Sequence, residues 1–298
     1  MDDLTQFLNN LDAEVEKITD EKKRQEAKLR LEETMRLYRG EDELISSLEI
    51  LEKIKTEPEE ERFLSGIEGL DDILKGFRRN QLIVLAAPTK SGKTQFTVEL
   101  ASRLKPTNPV MIPFEESADE IVRKFHDRKE LPPLFYTPKT ITGNTLAWIE
   151  KKVVEGKVKF NSTLFFIDHL HFIVPFTSDR LDTRIGQTMR ELKTIAKNHN
   201  VIILLVAHLK KTNMQVSPTL EDLRDSSFVA QEADTVLMMW RQAMRESGKM
   251  VITNNTLISV QANRRTGTTG NVKLTFKDGH YVEYDWKDDD STDTNPEW

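Results

Sequence analysis

The sequence predicts an α/β protein with a mostly parallel, twisted sheet, helices on both faces and a helical segment before it. From Phe63 onward, short apolar runs alternate with longer amphipathic stretches, which is typical of parallel strands connected by helices. Before Phe63, apolar residues recur at three- and four-residue steps, as on one face of a helix. The 298 residues suffice for one full domain with an appendage.

The elements follow in chain order. Residues 1–62 are expected to form two or three helices, separated near Gly40 and ending in a linker at Pro58. Residues 63–286 are expected to form the α/β domain, and residues 287–298 a disordered acidic tail. The predicted parallel strands are Leu82–Ala87, Val110–Phe114, Thr163–Asp168, Val201–Ala207 and Thr235–Trp240. The predicted helices between them are Lys93–Leu104, Ala118–Lys129, Thr145–Glu155 and Arg184–Asn198. Antiparallel strands are predicted at Leu257–Gln261, Val272–Phe276 and Gly279–Tyr284.

Charge and composition narrow the classes of protein. The chain carries −6, but residues 1–62 carry −8 and residues 288–298 carry −5, so the body between them carries +7. A basic body suits a polyanion such as nucleic acid, although ordinary surface charge is the alternative. The absence of cysteine excludes disulfides, thiolate zinc sites and cysteine nucleophiles. No apolar run approaches the ~18 residues of a membrane span, and the acidic start does not match a signal peptide. We therefore expect a cytoplasmic protein with no membrane partner.

The strongest motif is the run Ala-Pro-Thr-Lys-Ser-Gly-Lys-Thr at 87–94, which lies between a predicted strand and a predicted helix. That context is typical of a P-loop, whose backbone N–H groups cradle the phosphates of ATP or another NTP. Lys93 would reach the β and γ phosphates, and the Thr94 hydroxyl would ligate Mg²⁺. Ala87 replaces the first glycine of the general motif. The predicted nucleotide-binding residues are Ala87, Pro88, Thr89, Lys90, Ser91, Gly92, Lys93, Thr94 and Gln95.

Carboxylates at two other strand ends fit the same chemistry. Asp168 ends an apolar run and is placed to hold Mg²⁺, the alternative being a residue that caps the next turn. Glu115 and Glu116 follow the strand predicted at 110–114, at the sheet edge where ligands bind. Glu115 is the first candidate to orient and deprotonate the attacking water, and Glu116 is the second. The alternative is a carboxylate that simply complements a helix N-terminus.

Three histidines are predicted at the same edge of the sheet. His208 ends the fourth apolar run and could contact the γ-phosphate, although a structural histidine is the alternative. His169 and His171 flank Asp168, but nothing in the sequence completes a zinc site with them. We expect those two to line the sheet edge.

Taken together, these segments resemble the RecA-fold ATPase domain of ring-shaped replicative helicases: the DnaB family, the phage-type helicases and mitochondrial Twinkle. The resemblance covers about residues 63–285, beginning with Gly-Ile-Glu-Gly-Leu-Asp-Asp-Ile-Leu at 66–74. It continues through Pro-Phe-Glu-Glu-Ser-Ala-Asp-Glu-Ile at 113–121, Phe-Ile-Asp-His-Leu-His-Phe at 166–172 and Ala-His-Leu-Lys at 207–210. The resemblance implies that Glu115 is the catalytic base and His208 the phosphate sensor. DnaB proteins usually carry Gln at the position of His171.

The resemblance extends to a DNA-binding loop. The run Asp-Leu-Arg-Asp-Ser-Ser at 222–227 is similar to the loop that grips the single-strand backbone in DnaB, with Ser227 in place of a glycine. This similarity implies DNA contacts by Arg224, Asp225 and Ser227. Lys210 and Lys211 precede a polar stretch at 212–219 and would add cations facing phosphates. A solvated loop is the alternative.

Residues 263–270, Asn-Arg-Arg-Thr-Gly-Thr-Thr-Gly, resemble the segment that supplies an arginine finger to the neighbouring subunit's nucleotide. Alignment on the phage and Twinkle pattern selects Arg264, and alignment on the DnaB pattern selects Arg265. The family's lysine two residues before the finger is replaced by Ala262 or Asn263 in these two alignments.

The resemblance implies an ATP-driven replicative DNA helicase that assembles as a ring, expected to be a hexamer, in a bacterial or phage-infected cell. It would move 5′ to 3′ on single-stranded DNA and unwind duplex, with a helicase loader or primase as a further partner. One alternative is a RecA-like, DNA-dependent ATPase that binds or loads strands without unwinding them. Another is a regulatory ATPase that is indifferent to DNA.

Overall fold

The computed structural model describes residues 2–38, 44–56, 60–89, 91–127, 130–175, 180–209, 217–223, 226–246 and 249–284. The following predicted features lie outside these ranges: Lys90, Lys210, Lys211, Arg224, Asp225 and the tail at 287–298. No described helix is long and apolar enough to cross a membrane.

Among the described residues of 1–62, three helices form, as the helical spacing predicts: α1 (Asp2–Val15), α2 (Glu21–Tyr38) and α3 (Ser47–Thr56). The helices of the α/β region are α4 (Glu68–Leu74), α5 (Lys93–Arg103), α6 (Ala118–Asp127), α7 (Leu146–Phe160), α8 (Leu170–Ile173), α9 (Leu181–Asn198) and α10 (Ser226–Glu232). Sequence reasoning missed α4, α8 and α10, because helices of two turns or fewer are too short to show a periodic apolar face.

In the part of the chain that the structure describes, eight strands form one mixed sheet in the order β2-β3-β4-β1-β5-β6-β7-β8. The strands are β1 (Gln81–Ala87), β2 (Val110–Pro113), β3 (Leu164–Asp168), β4 (Ile202–His208), β5 (Thr235–Glu246), β6 (Lys249–Asn263), β7 (Gly270–Lys277) and β8 (His280–Glu283). The first five strands in this order are parallel, and the last three are antiparallel to their neighbours. The predicted α/β fold with helices on both faces is confirmed.

Strands β5 and β6 are longer than the sequence predicts. Their register continues as far as the pair Glu246 and Lys249, beyond the residues that pair with β1 and β7. Polar side chains interrupt the apolar run there, so the extension rests on backbone pairing between the two strands.

Two apolar layers cover the sheet. One face packs against α4, α5 and α6, with Leu70, Phe96 and Ile121 fully buried. The other face packs against α7, α8, α9 and α10, through side chains such as Ile149 and Leu192. These two layers hold the carboxyl ends of the parallel strands together at one edge, which positions the site described below.

The first two helices pack on the outer face of α7 in a third apolar cluster. Leu11, Val15 and Leu31 are buried there against Val154 and Val158. The guanidinium of Arg30 adds hydrogen bonds to the Val158 carbonyl at 2.9 and 3.2 Å. By contrast, α3 has no buried residue among those described.

Candidate functional site

The P-loop connects β1 to α5. Ala87 is the last residue of β1, and Gly92 caps α5 with φ 90°, a left-handed conformation that favours glycine. A Cβ at Gly92 would lie 3.0 Å from the Tyr281 hydroxyl, so space as well as conformation selects glycine. Ser91 is buried, and its hydroxyl has no hydrogen-bond partner among the described residues. The other described loop residues, Pro88, Thr89, Thr94 and Gln95, are partly buried or exposed.

Lys93 lies beneath this loop with only 6% of its surface exposed. Its ammonium donates hydrogen bonds to the Pro88 carbonyl at 3.1 Å and to the Ala87 carbonyl at 3.5 Å. Its Nζ is also 3.1 Å from Nδ1 of His208. Burial lowers the pKa of Lys93, against the opposing effect of the nearby carboxylates. A phosphate at the loop would replace the two carbonyl acceptors with a charged one.

Thr94 and Asp168 face each other across the sheet edge. The Thr94 hydroxyl donates to Oδ2 of Asp168 at 3.4 Å. The other oxygen, Oδ1, is buried and has no hydrogen-bond partner among the described residues. Burial and the neighbouring charge of Glu115 raise the pKa of Asp168 to about 6. A buried carboxylate oxygen beside a hydroxyl is a donor set that fits Mg²⁺.

The structure separates the two candidate glutamates. Glu115 points across the sheet edge, where its Oε2 lies 3.3 Å from Nε2 of His208. Glu116 is instead paired with Lys124 on α6. Glu115, the glutamate that the sequence favours as the base, therefore lies beside the P-loop groups, whereas Glu116 does not.

A cluster of imidazoles surrounds Glu115. Its Oε2 is also 3.3 Å from Nδ1 of His169, and the rings of His169 and His208 meet edge to face with centroids 4.1 Å apart. The ring of His171 lies 5.7 Å from that of His169. Sequence reasoning predicts all three histidines at the sheet edge but misses the convergence of His169 and His208 on Glu115. The signal that could have found it is the polar residue at the end of each of three neighbouring parallel strands.

The predicted DNA-binding loop is described only at its two ends. Leu209, the residue after β4, forms an antiparallel bridge with Leu223. The segment between them therefore begins and ends at the carboxyl edge of β4, beside the P-loop. A capping box at Thr219 and Asp222 orders a short 3₁₀ helix before the bridge. Ser227 lies in α10.

The two candidate finger arginines lie at the opposite edge of the sheet. Asn263 at the end of β6 pairs with Thr235 at the start of β5, which places Arg264 and Arg265 at the amino edge of the parallel strands. One strand length, about 20 Å for seven residues, separates that edge from the P-loop. Neither arginine can reach this chain's own nucleotide without a large rearrangement.

The chain matches one protein family. The family model described as "DnaB-like helicase C terminal domain" matches residues 63–131 and 115–285. Among curated proteins, the "Probable replicative DNA helicase" of Trieres chinensis is 26% identical over 261 residues, covering 74% of this chain and 56% of that protein. The "Replicative DNA helicase DnaB" of Mycoplasma pneumoniae is 25% identical over 260 residues, covering 72% and 54%. The chain thus spans about half the length of these relatives.

Solved structures share the fold. "ATPase Domain of G40P" has a TM-score of 0.66 at 20% identity, covering 80% of this chain and 96% of that one. "The Structure Of A DnaB-Like Replicative Helicase And Its Interactions With Primase" has a TM-score of 0.66 at 21% identity, covering 82% and 68%.

Proposed function

Because the chain belongs to the DnaB-like helicase C-terminal domain family, we propose that it is the ATPase motor of a replicative-type DNA helicase. The observation that carries the proposal is the convergence of Lys93, Thr94, Glu115, Asp168 and His208 at one sheet edge. Each of these groups has a defined task in phosphoryl transfer to water.

The residues divide the chemistry among them. The loop N–H groups and Lys93 hold the β and γ phosphates, with Gly92 leaving room for close approach. Thr94 and Asp168 would hold Mg²⁺, which neutralises charge that develops on the phosphates. Glu115 is half-exposed at the same edge of the sheet, beside His208. Its carboxylate accepts the proton of the attacking water. His208 contacts Lys93 on one ring nitrogen and Glu115 on the other, so it is placed to respond when the γ-phosphate leaves.

His208 also connects hydrolysis to DNA. It is the last residue of β4, and Leu209 follows it directly into the bridge with Leu223. A shift of His208 on loss of phosphate would therefore reach the loop that carries Lys210, Lys211 and Arg224. We expect that loop to hold the phosphates of single-stranded DNA without reading the bases.

Assembly into a ring brings an arginine of one subunit to the nucleotide site of the next subunit. Arg264 or Arg265 would enter the nucleotide site of the adjacent subunit, because both lie at the edge opposite their own P-loop. We propose the same domain boundaries that the sequence predicts. Residues 1–62 form a helical region with its linker, residues 63–286 form the ATPase domain, and residues 287–298 form a tail. We propose a hexamer, in line with the family.

Helix α3 is the segment that would hold subunits together. Leu48, Leu51 and Ile54 recur on it at three-residue steps, and all three side chains are exposed. An amphipathic helix with no buried residue among those described suits docking on a neighbouring copy. A primase or a helicase loader is a further proposed partner, since one structural relative carries primase in its name.

The test is the rate of ATP hydrolysis with and without single-stranded DNA, with Lys93→Ala as the blank. Stimulation by DNA that disappears in Arg224→Ala supports a DNA motor, and a forked duplex then tests unwinding. Stimulation without unwinding would favour the strand-binding ATPase. A rate indifferent to DNA would contradict the proposal and favour the regulatory ATPase.

A further inference from the structure

We propose that Glu115, His169 and His208 form a binding site for a divalent transition-metal ion such as Zn²⁺, separate from the Mg²⁺ site at Thr94 and Asp168. We further propose that an ion bound there blocks hydrolysis. The second statement rests on the proposed function, whereas the first does not.

The distances already approach those of a coordination shell. Oε2 of Glu115 is 3.3 Å from Nδ1 of His169 and 3.3 Å from Nε2 of His208, and the three atoms lie within 4.8 Å of one another. Metal–ligand bonds of about 2.0–2.2 Å at tetrahedral angles separate neighbouring ligand atoms by about 3.3–3.5 Å. Two of the three separations therefore match before any ion binds. A small movement of His208 would close the third, which is the separation between the two imidazole nitrogens.

The donor set discriminates between metals. Two imidazoles and one carboxylate suit Zn²⁺ and other first-row transition metals, whereas Mg²⁺ prefers oxygen ligands alone. Metal-binding imidazoles must be neutral. Nδ1 of His169 is buried and has no hydrogen-bond partner among the described residues. Only 8% of the surface of His169 is exposed, which also keeps its ring in place.

Lys93 competes with an ion for His208. When its ammonium donates to Nδ1 at 3.1 Å, the single proton of a neutral His208 ring is on Nε2, which faces Glu115. An ion can bind Nε2 only when that proton moves to Nδ1, which requires Lys93 to withdraw. Removing the ammonium should therefore strengthen metal binding, and it also removes a nearby positive charge.

The functional consequence follows from Glu115. A carboxylate oxygen that coordinates a metal ion no longer accepts a proton from water, so the ion would remove the proposed base. Zn²⁺ would then inhibit at saturating Mg²⁺ and ATP, because it acts at a different set of ligands.

Binding is tested with Co²⁺ on the full chain, free of any affinity tag and nucleotide, by the visible absorption of a four-coordinate ion. We expect one Co²⁺ per chain, displaced by Zn²⁺ and not by excess Mg²⁺. The band should be lost in His169→Asn, His208→Asn and Glu115→Gln. The matched control is His280→Asn, because His280 also lies 3.2 Å from a carboxylate, that of Glu99, but outside the cluster.

Two results would overturn the site: no Co²⁺ band in the wild-type protein, or an unchanged band in the three cluster variants. Glu115→Gln guards against a folding artefact, because its side chain is 44% exposed and tolerates an amide. Tighter Co²⁺ binding is expected in Lys93→Ala, and binding no tighter than wild type would contradict Nε2 of His208 as a ligand. A normal Co²⁺ band with hydrolysis insensitive to Zn²⁺ would overturn the inhibition alone.

Discussion

Arg265 donates a hydrogen bond to Glu60 at 2.6 Å, and the pair joins the end of the N-terminal region to the loop after β6. The same carboxylate oxygen accepts a hydrogen bond from Arg78 at 2.9 Å. Partial burial opposes ionisation of Glu60, but the two guanidinium groups outweigh it and hold the pKa below its usual value. Both arginine side chains are exposed, but Arg265 is engaged within its own chain, whereas Arg264 has no ion-pair partner among the described residues.

This arrangement predicts that Arg264 is the finger. In the assembled protein, Arg264→Ala should lower the DNA-stimulated rate of ATP hydrolysis by about 10³-fold or more, because it removes charge stabilisation in trans. Arg265→Ala is the matched control and should cost much less. Mixing Arg264→Ala with Lys93→Ala subunits should restore part of the rate, since each intact P-loop can then receive an intact arginine. Loss of rate in Arg265→Ala alone would reverse the assignment.

Substitution of the two glutamates should have different effects on the rate of ATP hydrolysis. Glu115→Gln should lower kcat by about 10²–10⁴-fold while nucleotide binding is retained, because the amide cannot accept a proton. Glu116→Gln should stay near the wild-type rate, since Glu116 is paired with Lys124. Single-turnover hydrolysis and binding of a fluorescent ATP analogue measure the two effects. Equal losses in both variants would contradict the geometry.

Asp168→Asn should stabilise the protein in the absence of Mg²⁺ and nucleotide. The folded protein raises the pKa of Asp168 from 3.8 to about 6, so the folded chain binds more protons than the unfolded chain between these values. The stabilising contribution of Asp168 to the free energy of unfolding is therefore fully present below pH 3.8 and is lost as the pH rises through 6. The variant should gain about 3 kcal/mol above pH 7 and less at pH 5. Urea unfolding at both pH values tests this, and a gain independent of pH would refute it.

The exposed face of α3 predicts an assembly defect. Replacing Leu48, Leu51 and Ile54 with serine should shift the protein from oligomer to monomer, because docking on a neighbour would lose its apolar contacts. The melting temperature of the monomer should hardly change, as none of these side chains is buried. Light scattering after size exclusion measures the shift, with Glu52→Ser on the same helix as control. An unchanged oligomer would exclude α3 as the connecting element.

Because α1 and α2 pack on α7, a substitution in their contact should destabilise these two helices and leave the sheet unchanged. Leu31→Ala should destabilise this contact by about 2–4 kcal/mol, because Leu31 is 2% exposed in the cluster with Val154 and Val158. Hydrogen exchange should quicken in α1 and α2 and stay slow in the strands of the sheet. The matched control is Leu29→Ala on the same helix, since Leu29 is 62% exposed. Equal rates of hydrogen exchange in the two variants would contradict the packing of α1 and α2 on α7.

Much of the fold could be predicted because its signals are local. Each of the five parallel strands contains a continuous apolar run, since helices cover both sheet faces, and such runs are visible without any partner. The short helices α4, α8 and α10 and the outer half of the β5–β6 hairpin could not be predicted. These helices are too short to show a periodic apolar pattern, and the outer half of the hairpin depends on backbone pairing between its two strands.

The sequence by itself determined the strand–loop–helix around Lys93, the strand ends that carry Asp168 and His208, and the family resemblance. Only the tertiary structure decided that Glu116 pairs with Lys124, that both arginines lie at the far edge, and that Glu115 meets two imidazoles. The reason is physical. A sequence motif reflects the local conformation of one segment. The contacts between Glu115, the histidines and the arginines depend instead on the order of strands in the sheet. That order is set by packing between segments far apart in the chain.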